Sequence, residues 1–448
     1  MQPLPLHAGT ARSDITPTKP CFLVGYPHVE RTSTGTHDPL FASALCLKNS
    51  ECALLFISLD ILFVTSDWVQ ECRRRISKLS PIPLAQILIA ATHTHSGPLT
   101  AEILAWKDDP TVPPPDPAYI EFLCEAVCET ALRAVKACIP AEIATVVADV
   151  RGIAGGNRID PDGAEDPRAG MLFIRSEGSG EPIAILPVYG MHPTVLHEDS
   201  THFSADFIAF TRSHLEGAFP GATVVYLNGV CGNQSPRRVV NAQTFAEAGR
   251  IGMALGIKME DALRSSTHFQ KCVPLASAVD HISICGRSFP TVEEARSRLD
   301  AARSRYAELK TRGAGHSEVR TAECTVFGAE EVLTLAKAEV SGDAESVRLK
   351  YNKAEVQAFR ISDFYIAAWP GEFFVEYGLE VSRSGPEFTF VCTIANGELH
   401  GYVVTPEAEA LGGYEAQMSL FPASTGSLFV ECTLRLLRNL ATGTTRSS

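Results

Sequence analysis

The sequence has little positive charge and no extended basic segment. Its 448 residues contain 39 Lys and Arg against 52 Asp and Glu, which gives a formal net charge of −13 at pH 7. The one notable basic run is Arg73-Arg74-Arg75. Proteins that bind nucleic acid neutralise phosphates with clustered Lys and Arg. The composition therefore argues against a nucleic-acid partner.

Long apolar runs are also missing. The longest runs, such as Ala53–Val64, are interrupted by polar residues (here Ser58 and Asp60) and are too short to span a bilayer. Residues Met1–His7 have neither the basic nor the long apolar segment of a secretory signal. We therefore expect no transmembrane segment and a cytoplasmic location.

The cysteines lack the spacings of a disulfide framework or a zinc site. There are thirteen of them, scattered from Cys21 to Cys432, and none belongs to a Cys-x-x-Cys pair. Disulfide-rich domains and structural zinc sites usually leave regular spacings in the sequence. The pattern predicts buried free thiols.

Apolar residues make up 45% of the chain, enough for a large core. Segments with strand periodicity alternate with segments of helical periodicity, which predicts an α/β fold with mixed sheets flanked by helices. The predicted strands are Ala53–Asp60, Leu84–Ala91, Ile143–Val150, Met171–Ile174, Pro182–Tyr189, Thr223–Leu227 and Val356–Pro370. The predicted helices are Ser66–Leu79, Ala118–Cys138, Phe207–Leu215, Ala242–Ala262 and Leu428–Leu440.

The composition changes after residue 289. Residues 291–309 and 319–338 are rich in charge and in Ala, Glu and Arg, and they flank the breaker Thr311–His316. This pattern predicts a helical hairpin inserted at about residues 290–340, with its charges in solvent. We expect one elaborated domain over residues 1–448 and a frayed end at residues 441–448.

Two histidines follow a buried apolar strand in Thr92-His93-Thr94-His95. In extended backbone their side chains point to the same face. Two neutral imidazoles at the carboxyl end of a strand suit a shared metal ion, or one ligand and one proton-transfer group. Loop histidines bonded to backbone are the alternative.

Two more candidate ligands lie at strand ends. His192 precedes a proline, which restricts its backbone to extended geometry, and it is favoured over the nearby His197 and His202. Glu372 follows a Pro-Gly turn. Each has a plainer explanation: a packed surface histidine in one case, and an acid at a helix start in the other.

The loop Asn228–Arg237 is rich in Gly and Asn and matches neither a nucleophile elbow nor a phosphate-binding loop. Its Ser235 is a candidate nucleophile, a hydrogen-bond donor to substrate or only a turn former. Arg158, after Gly155-Gly156-Asn157, is a candidate oxyanion partner or a surface residue.

Taken together and in this order, the motifs resemble the catalytic domain of the neutral ceramidases, zinc-dependent amidases that hydrolyse N-acyl sphingosine. The segments that carry the resemblance are Ala11–Pro17, Gly25-Tyr26, Thr92–Pro98, Asn157-Arg158, His192–Thr194, Ser204–Asp206, Gly232–Pro236, Pro370–Phe373 and Gly401–Pro406. The resemblance covers nearly the whole chain, apart from the hairpin. It implies the fold of that domain, and the C-terminal β-sandwich that these enzymes carry is not expected here.

The resemblance also implies a site. One Zn²⁺ per chain would be held by His93, His192, Glu372 and Tyr402. Histidine ligands are usually oriented by a hydrogen-bonded partner, and Asp206 or Asp60 is our candidate for that role. His95 would transfer protons, Arg158 would contact the substrate, and Ser235 would be a nucleophile or substrate ligand. Asn233 and Asp206 are expected to contact substrate, although Asn233 replaces the usual aspartate of the family motif.

The function implied is hydrolysis of an amide, in an N-acyl lipid or a smaller N-acyl compound, by metal-activated water. Two alternatives remain open at this point. The same site suits an esterase, or a lyase or isomerase acting on a hydroxylated compound. The asparagine at position 233 also leaves room for a metal-binding homologue without activity.

Overall fold

The computed structural model describes residues 4–443. Most of the predicted frayed end therefore lies outside the described residues, and its first two residues belong to the last helix. The helices of the described chain are α1 Ser66–Leu79, α2 Pro117–Lys136, α3 Phe207–Ala218, α4 Phe245–Arg264, α5 Val292–Thr311, α6 His316–Ser341, α7 Asp343–Tyr351, α8 Val375–Ser384, α9 Pro406–Leu411, α10 Tyr414–Met418 and α11 Ser424–Thr442.

The strands alternate with these helices along the chain, as the sequence predicted. They are β1 His7–Asp14, β2 Gly35–Thr36, β3 Phe41–Lys48, β4 Ala53–Leu59, β5 Ile87–Ala91, β6 Ile139–Asp149, β7 Gly156–Asn157, β8 Arg168–Ser176, β9 Pro182–Tyr189, β10 His202–Phe203, β11 Thr223–Val224, β12 Leu227–Asn228, β13 Gln234–Ser235, β14 Leu275–Ile282, β15 Ala354–Ile361, β16 Phe364–Ala368, β17 Glu372–Phe373, β18 Phe388–Cys392 and β19 Tyr402–Val403.

Two mixed sheets form the body of the protein. The larger runs in the order β11-β9-β8-β6-β1-β3-β4-β5, with β12 also paired to β9, and the smaller runs in the order β14-β15-β16-β18. Apolar side chains of both sheets form one shared cluster, in which the rings of Phe56 and Phe359 are 5.0 Å apart. The sheets therefore pack face to face.

Helices cover the outer faces of both sheets. In β3, Ala42, Ala44 and Cys46 pack under α2, whereas the alternating Leu45 and Leu47 face the second sheet. This two-residue alternation is the geometry of a strand with both faces buried. Helices α8 and α11 pack against the smaller sheet. The result is a four-layer α/β/β/α arrangement.

The predicted helical hairpin is confirmed as α5 and α6, which pack along each other. In the sequence, the hairpin is inserted between β14 and β15, which pair directly with each other in the smaller sheet. Three strand predictions need correction. Leu84–Gln86 forms a 3₁₀ turn before β5, residues 223–227 divide between β11 and β12, and residues 356–370 fold back as β15 and β16. The last reversal occurs at Ser362, whose φ is +58°.

Two further observations concern the predictions made from composition. Within residues 4–443, no helix is both apolar enough and long enough to cross a bilayer. All thirteen cysteines are free thiols, and seven of them are buried. The prediction of free thiols is therefore confirmed, while six of the thirteen are only partly buried or exposed.

Candidate metal centre

His93 and His95 lie on the loop that follows β5. The loop does not continue the strand, because His93 has a φ of +70°. The backbone at His93 is therefore not extended, contrary to expectation. The two rings nevertheless face one site, as expected. Their ring centroids are 5.0 Å apart, and the planes are perpendicular.

His192 lies on the corresponding loop after β9, and it meets His93 directly. The Nε2 atoms of His93 and His192 are 3.1 Å apart, and both residues are 1% exposed. His197 and His202 do not join them. The His197 ring lies 3.3 Å from a carboxylate oxygen of Glu198, and His202 is exposed on β10. The preference for His192 among the three is consistent with this geometry.

Glu372 completes the group from the short strand β17. Its Oε2 lies 3.3 Å from His93 Nε2 and 3.1 Å from His192 Nε2. The side chain points to the histidines and does not cap α8, so the plainer explanation as a helix-start acid does not hold.

The protonation of the histidines follows from their other ring nitrogens. Each Nδ1 lies within hydrogen-bond distance of a backbone carbonyl, at 3.0 Å for His93 and Leu62 O, 2.7 Å for His192 and Cys231 O, and 3.0 Å for His95 and Gly25 O. A carbonyl only accepts, so Nδ1 carries a proton, and in the neutral ring Nε2 then carries a lone pair. Burial, reinforced by Arg158, lowers the pKa of His192 to about 4, which keeps that ring neutral.

These lone pairs face one another across a small space. The three ring nitrogens lie within 4.8 Å of one another, and the Nε2 of His95 has no hydrogen-bond partner among the described residues. Ligand atoms 2.0–2.1 Å from a tetrahedral zinc ion are about 3.3 Å apart. The edges of 3.1, 3.1 and 3.3 Å in the triangle of His93, His192 and Glu372 match this spacing. The donor set therefore fits a zinc ion.

Tyr402 and Arg158 lie beside this triangle. Strands β17 and β19 pair in parallel, with Tyr402 opposite Glu372. The Arg158 guanidinium lies 5.2 Å from the Tyr402 ring, and its Nε is 2.8 Å from Glu415 Oε1. Burial first, and then Glu372, raises the pKa of Tyr402 well above its usual range. Arg158 Nη2 is buried without a hydrogen-bond partner among the described residues.

Ser235 lies on β13, which pairs with the strand that carries Asn157. Its Oγ accepts a hydrogen bond from the Arg237 amide at 3.2 Å. Within residues 4–443, no hydrogen bond joins this hydroxyl to a histidine, a lysine or a carboxylate. The contact makes Ser235 the cap of a short 3₁₀ turn.

The hydrogen bonds of Asn233 and Asp206 are structural. Asn233 accepts from the Val375 amide and donates to Glu376, both at 2.9 Å. Asp206 is fully buried at the start of α3, where its two oxygens accept from the amides of Leu196 and Phe207. With their polar atoms engaged in this way, both residues position loops around the site, and their contact with substrate stays a prediction.

Contrary to expectation, no hydrogen bond within residues 4–443 joins Asp60 or Asp206 to His93 or His192, whose Nδ1 atoms face backbone carbonyls. Asp60 instead pairs with Arg212 at 2.8 Å and accepts from Thr92. Backbone carbonyls take the orienting role, because the loops after β4 and β12 run directly behind the imidazoles. The carbonyl of Gly25 has the same role for His95. Position 25 requires glycine, since a side chain at its φ of +119° would approach His95 Nδ1 to 2.5 Å.

Comparisons with known proteins address the fold. No family model matches the sequence, and no curated protein matches it. The crystal structure of neutral ceramidase from Pseudomonas aeruginosa aligns at a TM-score of 0.78 and 18% identity, covering 99% of this chain and 76% of that chain. This chain has the neutral ceramidase fold. A ceramidase complexed with C2 aligns at a TM-score of 0.77 and 17% identity, covering 99% of this chain and 77% of that one.

Within the neutral ceramidase fold, the predicted residues occupy one region but differ in their positions relative to the triangle. His93, His192 and Glu372 form the triangle, and His95 lies beside it. Tyr402 and Arg158 flank Glu372. Sequence reasoning missed the three carbonyls that orient the imidazoles and the contact of the Tyr26 ring with His95, at 5.4 Å. The Gly25-Tyr26 motif could have indicated the contact between Tyr26 and His95. The orienting carbonyls could not have been found in this way, because backbone carbonyls leave no signature in a sequence.

Proposed function

We propose that this protein is a zinc-dependent hydrolase that cleaves the amide bond of an N-acyl lipid or a smaller N-acyl compound. The observation that carries the proposal is the buried triangle of His93 Nε2, His192 Nε2 and Glu372 Oε2, with edges of 3.1–3.3 Å. Three lone-pair atoms at this distance repel one another unless a metal ion or a proton lies among them, and all three edges match the spacing of ligands around one zinc ion. The fold supports the reaction class, since the structural neighbours include a neutral ceramidase and a ceramidase complexed with C2.

His93, His192 and Glu372 would hold one zinc ion per chain, with Tyr402 as the fourth ligand. Bound zinc supplies Lewis-acid chemistry, by which water becomes a nucleophile near neutral pH and a carbonyl is polarised. A structural zinc site would instead be rich in thiolates, whereas a catalytic site admits water, here by expansion to five ligands. No thiolate of the described residues belongs to this group. The donor set therefore favours a catalytic ion.

The remaining residues supply proton transfer and charge stabilisation. His95 presents its unprotonated Nε2 to the site, because its Nδ1 proton is held by Gly25 O. It accepts a proton during attack and returns it to the leaving nitrogen. Arg158 has a free Nη2 with which to bind the carbonyl oxygen as negative charge develops there.

Catalysis by a serine nucleophile is less well supported. A nucleophilic hydroxyl needs a base within hydrogen-bond reach. The Ser235 hydroxyl is bonded to the Arg237 amide, and no base of the described chain contacts it. Of the two roles expected for Ser235, contact with substrate is therefore favoured over nucleophilic attack.

Elemental analysis and hydrolysis assays with the purified protein test the proposal. We expect about one zinc per chain, with cleavage of a short-chain fluorescent ceramide or a soluble N-acyl amine that stops on chelation and returns with zinc. His192→Ala should lose both zinc and activity. His202→Ala, at an exposed histidine outside the triangle, is the matched control and should retain both.

Three results would contradict the proposal. They are cleavage that persists in metal-free protein, full activity of the His192→Ala variant, and purified protein without any metal affinity. Paired amide and ester substrates distinguish the proposed amidase from an esterase. An ester-only activity that requires zinc would retain the metal site and replace the substrate class.

A further inference from the structure

A second group of metal-binding side chains lies away from the histidine site, between helices α1 and α2. Cys72 of α1 faces Cys124 and Cys128, which are one turn apart on α2. The three Sγ atoms lie within 4.8 Å of one another, and those of Cys72 and Cys124 are 3.1 Å apart. All three residues are buried, at 0%, 1% and 8% exposure.

The sulfur separations suit one ion held by three thiolates. Sulfur atoms about 2.3 Å from a metal ion are about 3.8–4.0 Å apart in tetrahedral or trigonal geometry. The observed separations, from 3.1 Å to at most 4.8 Å, lie on either side of that value. Small side-chain rotations would bring all three sulfurs to it. A disulfide between Cys72 and Cys124 would use two of the thiols and leave the convergence of Cys128 unexplained.

The surroundings of the thiols favour a soft ion. The neighbouring side chains are apolar, including Val69, Ile76, Leu123 and Val127. No histidine or carboxylate belongs to this cluster among the described residues. Thiolates select Cu(I), zinc or iron–sulfur clusters, but structural zinc takes four protein ligands and the common iron–sulfur clusters take four cysteines. Of these ions and clusters, Cu(I) best suits a site with three sulfur ligands and no other donor.

We propose that Cys72, Cys124 and Cys128 form a second metal site, which binds a thiophilic ion of low coordination number such as Cu(I). The site is independent of the proposed hydrolase centre, because it uses neither its residues nor its loops. A bound ion joins α1 to α2 on the outer face of the large sheet. Binding to the folded chain alone would add stability through linkage.

Metal transfer to the zinc-loaded protein tests this site. Cu(I) held by a chromophoric competitor is titrated into the protein without oxygen, and X-ray absorption identifies the bound atoms. We expect one Cu(I) per chain with a shell of sulfur only, which the nitrogen and oxygen donors of the histidine site cannot provide. Cys128→Ser should weaken Cu(I) binding by at least about tenfold, while Cys272→Ser, at an exposed cysteine, should not change it.

Several outcomes would overturn the proposal. One is the absence of Cu(I) uptake, and another is a shell that contains nitrogen or oxygen. Equal affinity of Cys128→Ser and Cys272→Ser would show that the three thiols do not act together. If Cys128→Ser does not fold, Cys72→Ser and Cys124→Ser are compared in the same titration. Cu(I) uptake that is unchanged in every folded variant refutes the site.

Discussion

Gly232 provides a test of how tightly the backbone positions the candidate metal ligands. It touches no metal, but its amide donates to Phe373 O at 2.8 Å, next to Glu372 on β17. A Cβ atom at position 232 would lie 2.6 Å from Phe373 O and 2.8 Å from Glu372 O. Gly232→Ala therefore pushes directly on the strand that carries the carboxylate ligand.

The size of the displacement follows from these contacts. A Cβ atom does not tolerate approaches below 3.0 Å, and ordinary contact begins at 3.4 Å. The two backbones must therefore separate by about 0.4–0.8 Å, which exceeds the ~0.2 Å tolerance of metal–ligand distances and reaches the ~0.5 Å tolerance of a functional site. We expect Gly232→Ala to weaken zinc binding by about 10–100-fold, the usual effect of disturbing the support of a ligand.

The assay is a zinc competition titration with a chromophoric chelator, accompanied by hydrolysis at controlled free zinc. Activity should fall at limiting zinc and recover in part at high zinc. Gly217→Ala is the matched control, since an added Cβ in helix α3 meets no atom within 4 Å. If Gly232→Ala bound zinc as tightly as Gly217→Ala, the argument that this contact positions Glu372 would be refuted.

Three further predictions concern stability, and each is measured by urea denaturation. Zinc at a hundredfold excess over its Kd should add about 2.7 kcal/mol to the free energy of unfolding. His93→Ala should abolish this gain. An equal gain in the variant would show that the ion binds elsewhere. Arg73→Ala should cost about 3 kcal/mol, because it leaves the Glu355 side chain, which is 11% exposed, without the partner that lies 2.8 Å away. The neighbouring exposed Arg74→Ala should cost little, and equal losses would contradict the burial argument. Burial raises the pKa of Asp206 from 3.8 to about 6, so its contribution to stability is complete below pH ~4 and is lost, by about 3 kcal/mol, as the pH rises through ~6. Asp206→Asn should remove that slope, and an unchanged slope would show that another group titrates.

The sequence predicted the fold class because the alternation of apolar residues is local. β3 shows this most clearly, since its successive residues enter two different cores. The errors arose where a local conformation interrupted a continuous apolar pattern. Residues 356–370 kept a strand-like composition, but the positive φ of Ser362 reverses the chain within it.

The candidate ligands were predictable for a similar reason. His93, His192 and Glu372 each follow an apolar strand, and the carboxyl ends of strands meet in α/β folds. The conformation that aligns His93 was not predictable, because a left-handed histidine leaves no mark in the residue pattern. Asp206 and Asn233 were assigned to substrate from their motifs, but backbone amides occupy their oxygens.

The sequence by itself determined which donors were available: imidazoles, a carboxylate and thirteen thiols, each at a position fixed along the chain. Only the tertiary structure decided which of them meet. Cys72 and Cys124 are 52 residues apart and touch because α1 packs on α2, whereas His93 and His192 are 99 residues apart and touch because two strands end at one place. Such contacts depend on helix packing and sheet order, which are cooperative properties of the whole core, and residue spacing alone does not contain them.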